Sequence, residues 1–138
     1  AERYDVSGSV IYFDVDSMKQ VNDRLGHAAG DAVLRHIADV LVRESRASDI
    51  VGRLGGDEYA VILTQADAAA AAAKAAALAH AVAAEPVDWK GEPLAVSLSY
   101  GIFAFAGGEA VEQALDAADK AMYARKHGAK GGTGGDAA

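Results

Sequence analysis

The fold is decided by one stretch of the sequence, Arg53-Leu-Gly-Gly-Asp-Glu-Tyr-Ala-Val-Ile-Leu63. Two apolar runs, 50–54 and 59–63, flank a Gly-Gly-Asp-Glu turn. Short β-prone runs joined by glycines predict a hairpin, because glycine tolerates the positive φ of tight turns. A plain hairpin does not need two adjacent acids, Asp57 and Glu58, and their presence indicates a tip that a metal ion or a large anionic ligand approaches. Taken alone, the turn is better explained as a solvated one, so the rest of the chain has to decide.

Length and composition restrict the class of protein. A chain of 138 residues has room for one domain with a sizeable core, although much of its hydrophobic content is alanine. The net charge of −7 argues against non-specific binding to nucleic acid or to anionic membranes. The absence of cysteine excludes disulfides and thiolate metal sites. The sequence has no long apolar run and no signal pattern, which predicts a cytoplasmic location.

Hydrophobic periodicity predicts strands and helices on both sides of the hairpin. The predicted elements are a buried strand 9–15, a short helix 17–25 closed by Gly26, a helix 31–43, the hairpin 50–63, an alanine-rich helix 66–84, a turn-rich excursion 86–93 with room for a small hairpin at Lys90-Gly91, a strand 94–105 bent or bulged at Gly101, and an amphipathic helix 109–126. One domain over 1–130 and a flexible glycine-rich tail over 131–138 are expected. Helices and a sheet in one small domain predict an α/β (α+β) sandwich.

Acidic residues also stand at the end of the first strand. Asp14 and Asp16 flank one residue there. Together with the hairpin acids they can hold Mg²⁺, which takes one or two carboxylates and completes its octahedron with water and substrate phosphate. The amides of Ser17, Met18 and Lys19 open the next helix, and free N–H groups at a helix N-terminus attract anions. Strand-end aspartates are also common helix caps, so neither feature is specific by itself.

Several motifs follow one another in a recognisable order. They are Asp14-Val-Asp16, Lys19-Gln-Val-Asn22-Asp23, Gly26-His27, Gly30-Asp31, Arg53-Leu-Gly-Gly-Asp-Glu-Tyr59 and Ala118-Asp-Lys-Ala-Met-Tyr-Ala-Arg-Lys126. In order and spacing they resemble the GGDEF family of diguanylate cyclases over residues 9–130, and motifs in the right context are far more specific than any one alone. The resemblance implies the GGDEF fold, a central and mostly antiparallel sheet surrounded by helices, similar to the catalytic core of nucleotidyl cyclases and polymerase palms.

The resemblance implies an enzyme. Family members condense two GTP molecules into cyclic di-GMP, release two pyrophosphates and use Mg²⁺ or Mn²⁺, with two ions expected in each active site. Each domain holds one GTP, so a homodimer with facing domains is expected to be needed for catalysis. The alternative is a catalytically silent GGDEF-type module that binds GTP or cyclic di-GMP as a receptor or regulator.

The family's metal ligands and catalytic residues can be carried over position by position. Asp14 and the backbone carbonyl of Val15 match metal ligands at the first strand. Asp57 matches a metal ligand that is also assigned as the base for the 3′-hydroxyl, and Glu58 matches the adjacent acid that is needed for activity. The presence of all three acids favours the enzyme over the silent module.

Nucleotide-binding residues are carried over in the same way. Asn22 and Asp31 match the guanine readers, since a carboxylate accepts from N1–H and the exocyclic amine of guanine while an amide can meet O6 or N3. The other matched positions contact phosphate or leave room for the nucleotide: Ser17, Met18, Lys19, Gly55, Gly56, Lys126 and Lys130.

A second site is also implied by the resemblance. Arg46-Ala-Ser-Asp49 has the spacing of the family's RxxD inhibitory site, where the arginine grips the product cyclic di-GMP bidentately and the aspartate accepts from guanine. The alternative is a surface ion pair in front of a strand.

The sequence departs from the family pattern at four places. Tyr59 stands where phenylalanine is usual, and its ring is expected to pack beneath the turn with one partner for the hydroxyl. Ser17 and Met18 replace histidine and phenylalanine, and Lys130 with Gly131 replaces arginine and asparagine, which predicts a weaker grip on the triphosphate. The usual front helix with an Asp-x-Leu-Thr-x-Leu-x-Asn-Arg pattern has no counterpart, which puts stability and activity in doubt.

Overall fold

A computed structural model describes residues 7–106 together with Gln113 and Asp116. Its elements are β1 (Ser7–Val15), α1 (Met18–Leu25), α2 (His27–Arg43), β2 (Ile50–Gly55), β3 (Glu58–Thr64), α3 (Ala68–Ala83), β4 (Val87–Trp89), β5 (Glu92–Leu94) and β6 (Leu98–Ala106). The predicted combination of helices with an antiparallel sheet is confirmed.

The main sheet has four strands in the order β2-β3-β1-β6, and every neighbouring pair is antiparallel. Every residue of β1 after Ser7 is buried. A strand that is covered on both faces needs apolar side chains throughout, which explains the unbroken apolar run in the sequence. Ile11 and Phe13 enter the main core on one face, while Val10 and Tyr12 belong to smaller clusters.

The two longer helices cover the main-core face of the sheet. α2 buries Val33, Ile37 and Leu41, and α3 buries Leu78 and Val82, all within one hydrophobic cluster. These spacings of three and four residues place the side chains on one helical face. β1 is therefore an inner strand of a sheet whose main-core face is covered by α2 and α3.

One glycine joins α1 to α2. Gly26 has φ +95°, and its N–H donates to the carbonyl of Asn22 at 2.9 Å, so it ends α1 while α2 begins at the next residue, His27. The sequence predicted that the second helix starts at Asp31, which is wrong by one turn. Glycine adopts this left-handed conformation without the Cβ clash of other residues.

The region before β6 also differs from the prediction. The small hairpin at Lys90-Gly91 is confirmed as β4–β5, and it takes up Leu94, so β6 begins only at Leu98. The predicted irregularity at Gly101 is not a bulge, because Gly101 pairs with Tyr12 in a continuous register along β1 and β6.

Part of the prediction falls outside the described residues. Gln113 and Asp116 are helical, whereas the rest of the predicted helix 109–126 and the predicted tail 131–138 are not described. Among the helices of the described part, none combines the length and the apolar character needed to cross a membrane.

Candidate functional site

The β2–β3 hairpin has an irregular tip. The two strands pair regularly as far as Arg53 opposite Tyr59, and then the register shifts so that Gly55 lies opposite Glu58. Leu54 is the extra residue of this bulge, which increases local twist and redirects the tip. Gly56 has φ +37°, and no heavy atom of the described residues lies within 4 Å of a Cβ built there. None of the described residues beyond its chain neighbours therefore fills the space beside Gly56.

The end of β1 lies beside this tip. Asp14 pairs directly with Glu58 across the two strands, and the N–H of Val15 donates to the carbonyl of Asp57 at 3.0 Å. Asp14 is only 3% exposed, while Asp57 and Glu58 are half-buried. The backbone therefore brings together the three acids that the sequence singled out.

These acids offer oxygen donors of the kind that Mg²⁺ and Mn²⁺ prefer. Within residues 7–106 no group of three or more histidine, aspartate and glutamate side chains converges as a complete metal cage. Mg²⁺ does not require one, because it keeps several waters and is typically held by one or two carboxylates with substrate phosphates. The donor set at the end of β1 fits that mode of binding.

Asp16 is turned toward β6 instead of the tip. Its carboxylate accepts from the hydroxyls of Ser97 at 2.8 Å and Ser99 at 2.6 Å, and its N–H donates to the Ser97 carbonyl at 3.0 Å. Of the two strand-end acids, Asp16 thus has its partners on β6, and Asp14 is the one that lies beside the hairpin tip. Asp16 fixes the start of β6 against the end of β1.

The first turn of α1 begins with an unusual backbone. Ser17 has φ 63° and ψ 24°, a left-handed conformation that is uncommon for a residue other than glycine, and its side chain makes no capping hydrogen bond. Strain of this kind is concentrated at ligand sites. Met18 is buried behind this turn, so the uncapped first-turn amides are held in place.

A cavity of about 450 Å³ lies between α1 and the hairpin tip. Lys19 stands at its edge, where its ammonium group forms an exposed ion pair with Asp23 at 2.9 Å. The lining residues are Met18, Lys19, Asn22, Asp23, His27, Leu34, Arg53, Gly56 and Asp57. The cavity thus joins the predicted phosphate residues to the predicted metal-binding tip.

The two predicted guanine readers lie on different sides of Leu34. Asn22 lines the first cavity, whereas Asp31 is exposed and lines a neighbouring cavity of about 480 Å³ between α2 and β2. Leu34 and Arg53 line both cavities. The side chain of Asn22 packs so closely on Gly30 that a Cβ there would overlap with Oδ1. The absence of a side chain at Gly30 therefore leaves the space that the Asn22 side chain occupies.

Tyr59 is packed beneath the turn, as expected. It is 1% exposed, and its hydroxyl donates to the backbone carbonyl of Leu34 at 2.6 Å. Burial raises the pKa of Tyr59, with the charge of Asp57 acting in the same direction and that of Arg53 opposing it. The hydroxyl thus connects the hairpin to the helix that carries Asp31.

Arg53 lies at the site as well, although the sequence motifs did not assign it a role there. Its guanidinium donates twice to the carbonyl of Gly56, from Nε at 3.0 Å and from Nη2 at 2.7 Å. The available signal was the position of an arginine directly before the tip, next to a predicted anion site.

The predicted inhibitory residues lie in a turn between α2 and β2, where Arg46 is exposed and Asp49 is half-buried. The N–H of Arg46 donates to Oδ2 of Asp49 at 2.8 Å, and the N–H of Asp49 donates to the Arg46 carbonyl at 2.9 Å. Both residues are described, and their side chains form no ion pair with each other. Lys126 and Lys130, the remaining predicted phosphate residues, lie outside the described part.

Comparisons with known proteins agree with this geometry. The family described as "Diguanylate cyclase, GGDEF domain" matches residues 1–131. Diguanylate cyclase DgcP of Pseudomonas aeruginosa is 42% identical over 113 residues, which are 82% of this chain and 17% of that protein. The chain therefore spans a small part of the length of this relative.

Solved structures have the same fold. The GGDEF domain of DgcB from Caulobacter crescentus, in complex with c-di-GMP, superimposes with a TM-score of 0.79 at 29% identity, covering 89% of this chain and 74% of that one. Diguanylate cyclase SiaD of Pseudomonas aeruginosa, in complex with its activator SiaC, gives 0.80 at 33% identity, covering 89% of this chain and 47% of that one. The motifs, the fold and these matches agree, and the chain belongs to the GGDEF family.

Proposed function

We propose that this chain is the catalytic domain of a diguanylate cyclase, which condenses two GTP molecules into cyclic di-GMP and releases two pyrophosphates. The observation that carries the proposal is the end of β1, where buried Asp14 lies opposite Glu58 and Val15 is bonded to Asp57. The names of the relatives and the c-di-GMP complex of a structural neighbour support the same reaction.

The metal site of this proposal consists of oxygen donors. Asp14, the carbonyl of Val15, Asp57 and Glu58 would hold Mg²⁺ or Mn²⁺, two ions in each active site. Bound ions of this kind lower the pKa of an attacking hydroxyl and neutralise charge on transferred phosphoryl groups. The burial of Asp14 supports this role, because a carboxylate in a less polar environment attracts a cation more strongly than one in water.

The chain's own residues bind and orient the nucleotide. Lys19 is free to exchange its exposed partner Asp23 for a phosphate, since exposed ion pairs of this type are weak. The uncapped amides that follow Ser17 donate to the same phosphates. Asn22 and Asp31 hydrogen-bond the edge of guanine from the two sides of Leu34. Lys126 and Lys130 are proposed as further phosphate ligands.

Proton removal from the 3′-hydroxyl is assigned to Asp57. Its backbone is bonded to β1, and it lines the cavity together with Lys19 and Asn22. A base must lie within hydrogen-bond reach of the proton that it takes, and a nucleotide in this cavity lies beside Asp57. The hydroxyl attacks the α-phosphate of the second GTP, which the facing domain of a homodimer supplies. Because GTP is a nucleotide of the cytoplasm, the domain is expected to work there.

The Arg46–Asp49 turn is proposed as the product-inhibition site. Its backbone is fixed by two hydrogen bonds, so the guanidinium is presented from a rigid turn. Cyclic di-GMP is expected to bind in the low-micromolar range or tighter, at about −8 kcal/mol. Calorimetry tests this: Arg46→Ala should abolish the binding, and an unchanged affinity would rule out the site.

The reaction itself is tested by incubating the protein with GTP and Mg²⁺ and separating the nucleotides. Cyclic di-GMP should appear, and the rate per molecule should rise with protein concentration, because two domains must meet. Binding of GTP without any cyclic product at all concentrations would instead identify the domain as a receptor module.

A further inference from the structure

We propose that Arg53 is a positioning residue that orients Asp57, and this inference rests on the proposed function. Arg53 is the last residue of β2 before the register shift, and beyond it only the pair of Gly55 with Glu58 joins β2 to β3. Its guanidinium adds two hydrogen bonds to the carbonyl of Gly56, at 3.0 and 2.7 Å, on the tip side of that pair.

The consequence for Asp57 follows from the peptide groups on either side of it. The peptide before Asp57 carries the Gly56 carbonyl, which Arg53 holds. The peptide after it carries the Asp57 carbonyl, which the N–H of Val15 holds at 3.0 Å. Both peptide planes that meet at the Cα of Asp57 are therefore fixed, one by its own hairpin and one by β1. The direction of the Asp57 side chain is set by these two attachments.

The form of the arginine side chain matters for this role. Two donors of one planar guanidinium converge on a single carbonyl, and a charged donor makes a stronger hydrogen bond than a neutral one. Lysine keeps the charge but lacks the fixed fork. Gly56 has φ +37° and lacks a side chain, and among the described residues beyond its chain neighbours no heavy atom lies within 4 Å of a Cβ added there, so side-chain packing does not hold this peptide in place of Arg53.

Arg53 is also part of the proposed ligand site. Arg53 lines that cavity together with Gly56 and Asp57. It is exposed and forms no ion pair with any residue of the described part. The positive charge of Arg53 therefore adds to the attraction for a nucleotide, whereas its paired hydrogen bonds determine the direction of Asp57. Comparing Arg53→Lys, which keeps the charge, with Arg53→Ala, which removes both, separates the two effects.

The experiment uses the whole chain and compares enzyme kinetics with readouts that do not depend on turnover. Arg53→Lys should reduce kcat about 10- to 100-fold, which is typical when a residue that orients a metal ligand loses its hydrogen bonds. The KM for GTP should stay near the wild-type value, because the positive charge remains. Arg53→Ala should reduce kcat similarly and also raise KM. Arg24→Lys is the matched control, since Arg24 is an exposed arginine with only long 3.5 Å contacts to Glu92, and it should behave like the wild type.

Two readouts do not depend on turnover. The backbone order parameter of the Asp57 amide, measured by NMR, should fall in Arg53→Lys from about 0.85 toward 0.6, while the melting temperature is unchanged. The affinity for Mn²⁺ in the presence of a non-hydrolysable GTP analogue should fall about 10-fold or more.

The outcomes separate the two proposals. If the wild type forms no cyclic di-GMP, the proposed function fails, and the NMR and Mn²⁺ measurements still decide the role of Arg53. If Arg53→Lys matches the wild type in kcat, in the order at Asp57 and in Mn²⁺ affinity, the positioning role is overturned. A general loss of melting temperature in Arg53→Lys would also overturn it, because Arg53 would then support the fold and not the tip.

Discussion

The substitution Gly30→Ala tests whether Asn22 reads the guanine base. Gly30 is buried inside α2, and a methyl group there would meet Met18 Cε at 2.9 Å and Asn22 Cγ at 3.0 Å, with Oδ1 of Asn22 closer still. Contacts under 3.0 Å are essentially never made by real Cβ atoms, so Asn22 has to swing away. A displacement of roughly 1 Å is enough to break a hydrogen bond at its usual length.

The expected magnitudes differ for folding and for binding. Both neighbours are the far ends of flexible side chains, and alanine is favoured over glycine inside a helix by about 0.8–1 kcal/mol, so the free energy of unfolding should be unchanged or slightly higher. Loss of the hydrogen bond between Asn22 and the guanine edge should weaken the binding free energy by about 1–3 kcal/mol, which is roughly a 5- to 150-fold loss of affinity. The variant should therefore be stable and a poor binder.

Calorimetry with a non-hydrolysable GTP analogue, together with thermal unfolding, measures both quantities. The control is Ala77→Gly, which exchanges the same two residue types at an exposed position of α3 that lines neither cavity. The control should bind like the wild type. Wild-type affinity in Gly30→Ala would refute the assignment of Asn22, and a large fall in melting temperature would refute the argument that its side chain moves at little cost.

Three further predictions concern the same region and its surroundings. Asp57→Ala should abolish turnover in the nucleotide assay and leave calorimetric binding of cyclic di-GMP intact, whereas loss of both would mean that the tip supports the fold. Tyr59→Phe should remain active and lose about 0.5–1.5 kcal/mol of stability in urea titrations, because the carbonyl of Leu34 loses its partner. Since burial raises the pKa of Tyr59, its ionisation favours the unfolded chain, and the difference between wild type and Tyr59→Phe should shrink as the pH rises above 10.0; a constant difference would contradict this. The hydrogen bond from Arg43 lowers the pKa of Glu85, so the charged carboxylate stabilises the folded chain. The wild type should therefore be more stable than Glu85→Gln above pH 4.5, and this difference should disappear as the pH falls below 4.5, which acid titration of both proteins can check.

The hairpin and the first strand were predictable because their patterns are local. An unbroken apolar run predicts a strand covered on both faces, and two β-prone runs around a glycine pair predict a hairpin. Both are present, as β1 and as β2 with β3. The order of motifs then identified the family, which spacing around the Gly-Gly-Asp-Glu turn alone could not do.

The boundaries of the helices and strands were less predictable, because one alternating apolar pattern runs through both β5 and β6. Leu94, Val96 and Leu98 alternate and are all buried, as in a single strand, but Leu94 ends β5 and Leu98 begins β6. Burial on alternate positions continues through the connecting residues, so periodicity does not mark the break. The start of α2 was missed because two glycines, at 26 and 30, resemble a turn.

The side-chain partners of the site could not be derived from spacing. Asp16 is held by Ser97 and Ser99, which are 81 and 83 residues away in the chain, so no local pattern connects them. Arg53 bends back onto its own hairpin, and the choice of that rotamer over one directed to solvent depends on the bulge at Leu54. Such choices follow from the assembled backbone and not from residue type.

The single glycine between α1 and α2 has a mechanical consequence. α1 carries the proposed phosphate residues at its N-terminal turn, and its other end joins the helix that carries Asp31 through Gly26 alone, without an intervening loop. The two torsion angles of Gly26 thus set the angle between the helix with the proposed phosphate residues and the helix with the proposed base reader Asp31. The join has no slack in which to absorb an inserted or deleted residue. Insertions in this domain should therefore be accommodated at the β4–β5 hairpin, which carries none of the proposed site residues, and not between the two helices, whose join fixes the spacing of the proposed phosphate and base residues.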